Sequence, residues 1–422
     1  MKVAALSARW FPCAMVTALA GMSNSPVLSA QGVREFPLHA STYPVMSNPE
    51  PSRYNLKWGK LIARFHASVD GEFTDNLNLS SRNREADVSF GPNFEVGFLW
   101  PVSRNNSLQL DLGTGYRWYV NHPAVATFNL APNSRIDYRI YADNVQISLH
   151  DSFSIQADPT SRPDLDGSTG GNTINFRRLE NTSGVTAEWR PLRQLGVFAG
   201  YDVFLDRSLS GQFTSIDRND QTFTAGTTYD LSARWTVGLK GAYTFTDYLQ
   251  NIQNDATSYT LGPVFVFKPS PFLSIDALAG YSVSTFTSSG TIADRSDFRG
   301  FTGQLGVHHI VNSRTSQDFR ISQGRDLALG NNFYEILALS YGIDFRLRRN
   351  LTFHSQLTYE HSRTSGPAGE TANRYLAYLG AGLQFSSHWK ASLGYTLSLK
   401  DSNQVFRDYT QNRVTFQLVR QF

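Results

Sequence analysis

From about residue 59 to its end the chain alternates apolar residues with small or polar ones, and it contains no run of about 18 apolar residues. Alternation of period two marks strands whose two faces meet different surroundings. In the run from Trp389 to Lys400, Trp389, Ala391, Leu393, Tyr395, Leu397 and Leu399 share one face. Lys390, Ser392, Gly394, Thr396, Ser398 and Lys400 share the other. The runs at 235–246 and 195–205 repeat this pattern. Eighteen such segments can be counted, most of 11 residues or more, which is long enough to cross a bilayer at a tilt. Without an apolar helix, a chain can span hydrocarbon only as a closed barrel, because every backbone polar group needs a partner. The connections alternate as well: short ones near 102–105, 142–144, 191–194, 232–234, 269–271, 312–314, 348–350 and 387–388, with longer polar loops between them. Eight turns and nine loops place both ends of the barrel on the short-turn side, the plan of an outer-membrane barrel. The expected fold is therefore all-β: a transmembrane antiparallel up-and-down β-barrel of about 18 strands, with short periplasmic turns and longer extracellular loops.

A soluble β-sandwich would also alternate, so the faces must decide. Trp100, Trp189, Trp235 and Trp389 each lie beside a short turn on the apolar face, as a periplasmic aromatic girdle would. The other face mixes Gly, Ser and Thr with single charges, which suits a water-filled lumen better than a dry core. Eighteen strands make a bore too wide for side chains to fill, although a long loop folded inward would narrow it. Mid-strand positions on this face give the pore-lining candidates Arg64, Arg117, Lys240, Asp276, Arg320 and Glu360.

Residues 1–30 read as a secretory signal peptide: Lys2 and Arg9 accompany an apolar run from Trp10 to Gly21, and Ala18-Leu19-Ala20 and Leu28-Ser29-Ala30 offer small-residue cleavage sites. Its removal would take Cys13, the only cysteine, so disulfides would not stabilise the mature chain. Residues 31–58, with Pro37, Pro44, Pro49 and Pro51, read as a flexible periplasmic leader, and 59–422 as the barrel. The 38 basic and 35 acidic residues leave no concentrated basic character for nucleic acid.

The last strand runs from Arg413 to a terminal Phe422, with Val414, Phe416 and Leu418 in step with it. It resembles the C-terminal signal of bacterial outer-membrane proteins; Arg420 departs from the pattern, standing where an apolar or aromatic residue is usual. The stretch Asn93–Leu112 and the segment Asp137–Val145 are similar to the putative β-barrel porins of Gram-negative bacteria. The resemblance implies a Gram-negative outer-membrane channel, embedded in outer-membrane lipid, whose terminal Phe422 the barrel assembly machinery reads. Homo-oligomeric assembly stays open.

No metalloprotease, P-loop or nucleophile-elbow pattern occurs, and no enzyme, cofactor or metal is expected. His308 and His309 are adjacent, so in a strand they face opposite ways. Asp164-Leu165-Asp166-Gly167-Ser168 offers alternating oxygen ligands for Ca²⁺ but lacks a downstream bidentate Glu. The expected function is an outer-membrane porin passing small hydrophilic solutes by passive diffusion. The alternatives are a barrel outlet for polysaccharide or polymer export and a sugar-specific channel with Tyr119, Phe198 and Phe204 as an aromatic track.

Overall fold

The structure, a computed structural model, describes residues 56–157, 162–165, 176–367 and 369–422. The signal region and the leader up to residue 55 lie outside the described residues. A single sheet holds all twenty strands. In order they are β1 (Leu56–Trp58), β2 (Leu61–Thr74), β3 (Asp87–Pro101), β4 (Asn106–Tyr119) and β5 (Thr127–Leu130). There follow β6 (Arg135–Ala142), β7 (Val145–Gln156), β8 (Arg178–Leu192), β9 (Leu195–Ser208) and β10 (Arg218–Asp230). Next come β11 (Trp235–Tyr248), β12 (Ala256–Ser270), β13 (Leu273–Phe286), β14 (Phe298–Asn312) and β15 (Thr315–Leu327). The last are β16 (Phe333–Arg348), β17 (Leu351–Thr364), β18 (Thr371–Gln384), β19 (Trp389–Ser402) and β20 (Tyr409–Gln421).

All pairings are antiparallel, and β2 closes the ring on β20 from His66 opposite Gln421 to Thr74 opposite Arg413. Closure matters because an open edge would leave backbone groups unpaired in hydrocarbon. Eighteen strands are staves of the barrel. The other two are short: β1 folds back on β2 through Gly59, whose φ of +61° favours glycine, and β5 lies within the β4–β6 loop against Thr114–Arg117. Leu56–Trp58, the end of the segment read as leader, are thus strand.

Side-chain alternation sorts each stave into two faces. On β3, Phe90, Phe94 and Trp100 point outward and are exposed, while Ser89 and Asp87 are buried on the inner side. Leu393, Tyr395 and Leu399 of β19 repeat the outward set. Among the described residues these greasy rows meet no other layer of the protein, as an outer-membrane barrel's lipid-facing rows should.

Two Gly-Pro pairs interrupt the ladder in mid-strand. Between β3 and β4 the pairing jumps from Phe90–Trp118 to Asn93–Gly115, passing Gly91 and Pro92. Between β12 and β13 it jumps from Leu261–Tyr281 to Val264–Leu278, passing Gly262 and Pro263. The prolines have no N–H to donate there. A Cβ on Gly91 would lie 1.7 Å from the Tyr116 carbonyl oxygen, and one on Gly262 would lie 2.1 Å from that of Ala279.

Candidate functional site

The inner face is a bore lined by polar and charged side chains, and all six sequence-derived lining candidates point into it. Arg64 reaches the Asp111 carboxylate at 3.1 Å, and Arg117 reaches Glu72 at 3.4 Å. Lys240 of β11 lines a cavity with Asp202 and Phe204. Asp276 stands opposite Gly306, and Gly306 opposite Arg320. Among the described residues neither Asp276 nor Arg320 makes an ion pair. Glu360 faces inward but is only 2% exposed, closed in an ion pair with Arg374; it supports the wall rather than meeting solvent. Three His–Asp pairs also line the bore: His150–Asp202 at 2.7 Å, His308–Asp318 at 2.8 Å and His354–Asp344 at 2.8 Å.

Part of the long loop between β7 and β8 is folded into the bore. Leu165 is fully buried, in an apolar cluster with Phe176, Phe213, Ile216, Tyr248 and Leu327. Beside it Arg162 grips both oxygens of Asp164, at 2.9 and 2.7 Å. Arg162 also donates to the Leu327 carbonyl, and Asp164 accepts from the Leu329 amide, both at 2.8 Å. The loop leaves the β7–β8 wall and is fastened to the end of β15, far around the ring. The sequence leaves room for an inward loop but carries no sign of this fastening. Asp164 is spent on Arg162, which removes the first ligand of the calcium reading, and 166–168 lie outside the described residues.

On the wall behind this loop, Arg178 and Arg218 share the Asp206 carboxylate, and Arg178 also reaches Asp217 at 3.1 Å. Arg218 meets Asp220 at 3.0 Å. Lys400, Glu370 and Arg407 form a second group at 2.9 Å spacing. Buried charges persist only when paired. A sequence signal for one of these pairs existed: residues two apart on a strand share a face, so Arg218-Asn219-Asp220 reads as a local pair.

Among the described residues, two cavities lie along the bore. One, of about 430 Å³, lies between Lys240, Asp202, Phe204 and the Thr-rich faces of β8, β10 and β11 on one side and Arg325–Leu327 on the other. The second, of about 280 Å³, starts at the short-turn end, where Arg314 and Arg346 line it, and runs past His354, Tyr378 and Lys390 to Glu72 and Arg117, near the long-loop ends of β2 and β4. On the outer face, Trp100, Trp189, Trp235 and Trp389 all point away from the bore beside short turns. Trp235 stacks on Phe267, centroids 3.8 Å apart. Arg420 faces outward too, its guanidinium 5.5 Å from the Trp389 ring and 4.8 Å from that of Phe422.

A closed eighteen-stave barrel with a greasy outside and a wet, charged bore defines an outer-membrane channel. The sequence matches the family model described as "Putative beta-barrel porin 2" over residues 56–422. The chain belongs to that family and is an outer-membrane porin. No curated protein matches it by sequence. Among solved structures it is similar to Pseudomonas aeruginosa OccK2 (OpdF), at 12% identity and a TM-score of 0.50, covering 86% of this chain and 98% of that one. Acinetobacter baumannii OccAB3 matches at 10% identity and a TM-score of 0.49, covering 85% and 99%. Identities this low speak to the fold alone.

Proposed function

We propose that small hydrophilic solutes cross this porin passively, down their own gradients. The observation that carries the reading is the two-sided wall: apolar side chains face outward, while charges such as Arg64, Arg117, Lys240, Asp276 and Arg320 face the bore. Glu360 acts through the wall. The fastened loop favours small solutes over an exported polymer, which would have to displace a buried ion pair. Phe204 lends its face to Arg218 at 5.4 Å, so the case for an aromatic sugar track is weaker than for simple diffusion. The reading assigns the chain no catalysis. It takes residues 1–30 as the export signal, the segment from 31 up to the start of β1 as the leader, the four tryptophans as the periplasmic girdle and Phe422 as the mark the assembly machinery reads. Purified protein in planar bilayers tests it: stepwise conductance that rises with KCl concentration without saturating is expected, and a folded barrel that never opens would sink it.

A further inference from the structure

We infer that the periplasmic mouth of the bore is an anion-binding site, centred on Arg314 and Arg346, that selects small carboxylates or phosphates from among the solutes proposed above. The eight short connections carry Arg104, Arg193, Arg234, Arg314 and Arg349 against a single carboxylate, Asp143. In the long loops at the other end acidic residues outnumber basic ones. The two mouths therefore carry opposite fixed charge, and a low-dielectric wall concentrates such fields in the bore.

Within the inner cavity of about 280 Å³ the charges are unevenly matched. Glu72 accepts from Arg117 at 3.4 Å and Asp344 bonds His354 at 2.8 Å. Asp70 accepts from Ser68 at 3.1 Å and Asn93 at 2.6 Å. Arg314 and Arg346 line the same space, and among the described residues neither makes an ion pair. A backbone hydrogen bond of 2.7 Å from the Arg346 amide to the Arg314 carbonyl holds the two side by side. Ser316 and Thr352 place hydroxyls beside the two arginines, Thr352 directly opposite Arg346, and across the cavity Gly380 and Gly394 make room for the Tyr378 ring. Two neighbouring arginines on the lining of one cavity, with hydroxyl donors beside them, suit an oxyanion, which guanidiniums can grip with paired N–H groups.

The test uses the full chain in planar bilayers under a KCl gradient, with inorganic phosphate and succinate as probes. Wild type should prefer chloride over potassium, and either probe, added on the periplasmic side, should block the current saturably. Arg314→Gln with Arg346→Gln should lower the anion-to-cation permeability ratio at least about threefold and abolish the block. The paired Arg→Lys variant should retain the preference, and heat-modifiable gel mobility checks that each variant is folded. A wild-type channel that prefers cations, or a double Gln variant unchanged in ratio and block, overturns this site while leaving diffusion intact. A folded protein with no conductance overturns the diffusion reading and this inference with it.

Discussion

At the scale of single residues, Arg420 shows how a departure from a pattern acquires a reason. A charge on the outer face is costly in hydrocarbon but not at the interface, where a long side chain can lie along aromatic surface and keep its head near water. Trp389 and Phe422 supply that surface. Arg420→Ala should therefore lower stability by about 0.5–2 kcal/mol in urea unfolding from lipid vesicles, and a cycle with Trp389→Ala should return a coupling of about 1 kcal/mol. Strictly additive losses would mean that the stacking contributes nothing. A second residue, His122, pins the β4–β5 loop to the start of β3, bonding Asp87 at 2.6 Å and Glu85 at 2.9 Å. The Asp87 bond raises the imidazole pKa above its ordinary value; burial opposes this, and the charges of Asp87 and Glu85 assist it. Because the folded value is raised, the pin is fully present below about pH 6.5 and is lost as pH rises through the raised value. Amide exchange at Asn121, whose N–H donates to Asp87 at 3.0 Å, should speed up across that rise. His122→Gln should flatten the dependence.

At the scale of elements, the eighteen staves were legible because hydrocarbon on one side and water on the other enforce the period-two pattern along each strand. The extra strands β1 and β5 were not, because three or four residues are too few to show a period. Glycines such as Gly91 read as small residues, since their close approach to a carbonyl depends on the neighbouring strand. Local ion pairs had a spacing signal, but the fastening of the inward loop did not: Arg162 and Leu327 are 165 positions apart. That fastening predicts a large effect from a small change. The Asp164 side chain is 3% exposed and that of Arg162 is 15%, so Asp164→Ala would strand a guanidinium with little water. Breaking such a pair costs about 3–5 kcal/mol, and removing both partners costs less than the sum of the single losses. Single channels of Asp164→Ala should show higher conductance and frequent transitions between levels, whereas the double variant with Arg162→Ala should be quieter. Wild-type conductance in Asp164→Ala would mean that the loop is held by Leu165 and its apolar neighbours alone.

At the scale of the whole molecule, the outer face fixes how the barrel sits in the bilayer. Phe90 and Trp100 mark the two ends of the apolar band on β3, and Trp235 and Phe245 do so on β11; in each case the residues are ten positions apart. Ten residues at about 3.3 Å each, tilted about 40°, give a band of about 25 Å, near the usual height for outer-membrane barrels and thinner than a typical hydrocarbon core of about 30 Å. All four girdle tryptophans should then lie at one depth, close to the headgroups of one leaflet. Single-tryptophan variants retaining only Trp100, Trp189, Trp235 or Trp389, folded into vesicles with bromine placed at different levels of the acyl chain, measure this directly. Each should be quenched most by the shallowest bromine and least by the deepest. The same vesicles should fold the protein more completely when made from short-chain lipids than from long-chain ones, because stretching a thin band across a thick core costs a fraction of a kcal/mol per ångström. Tryptophans scattered in depth would mean that the belt is an accident of strand ends, and the register of the barrel in the membrane would have to be set by the loops instead.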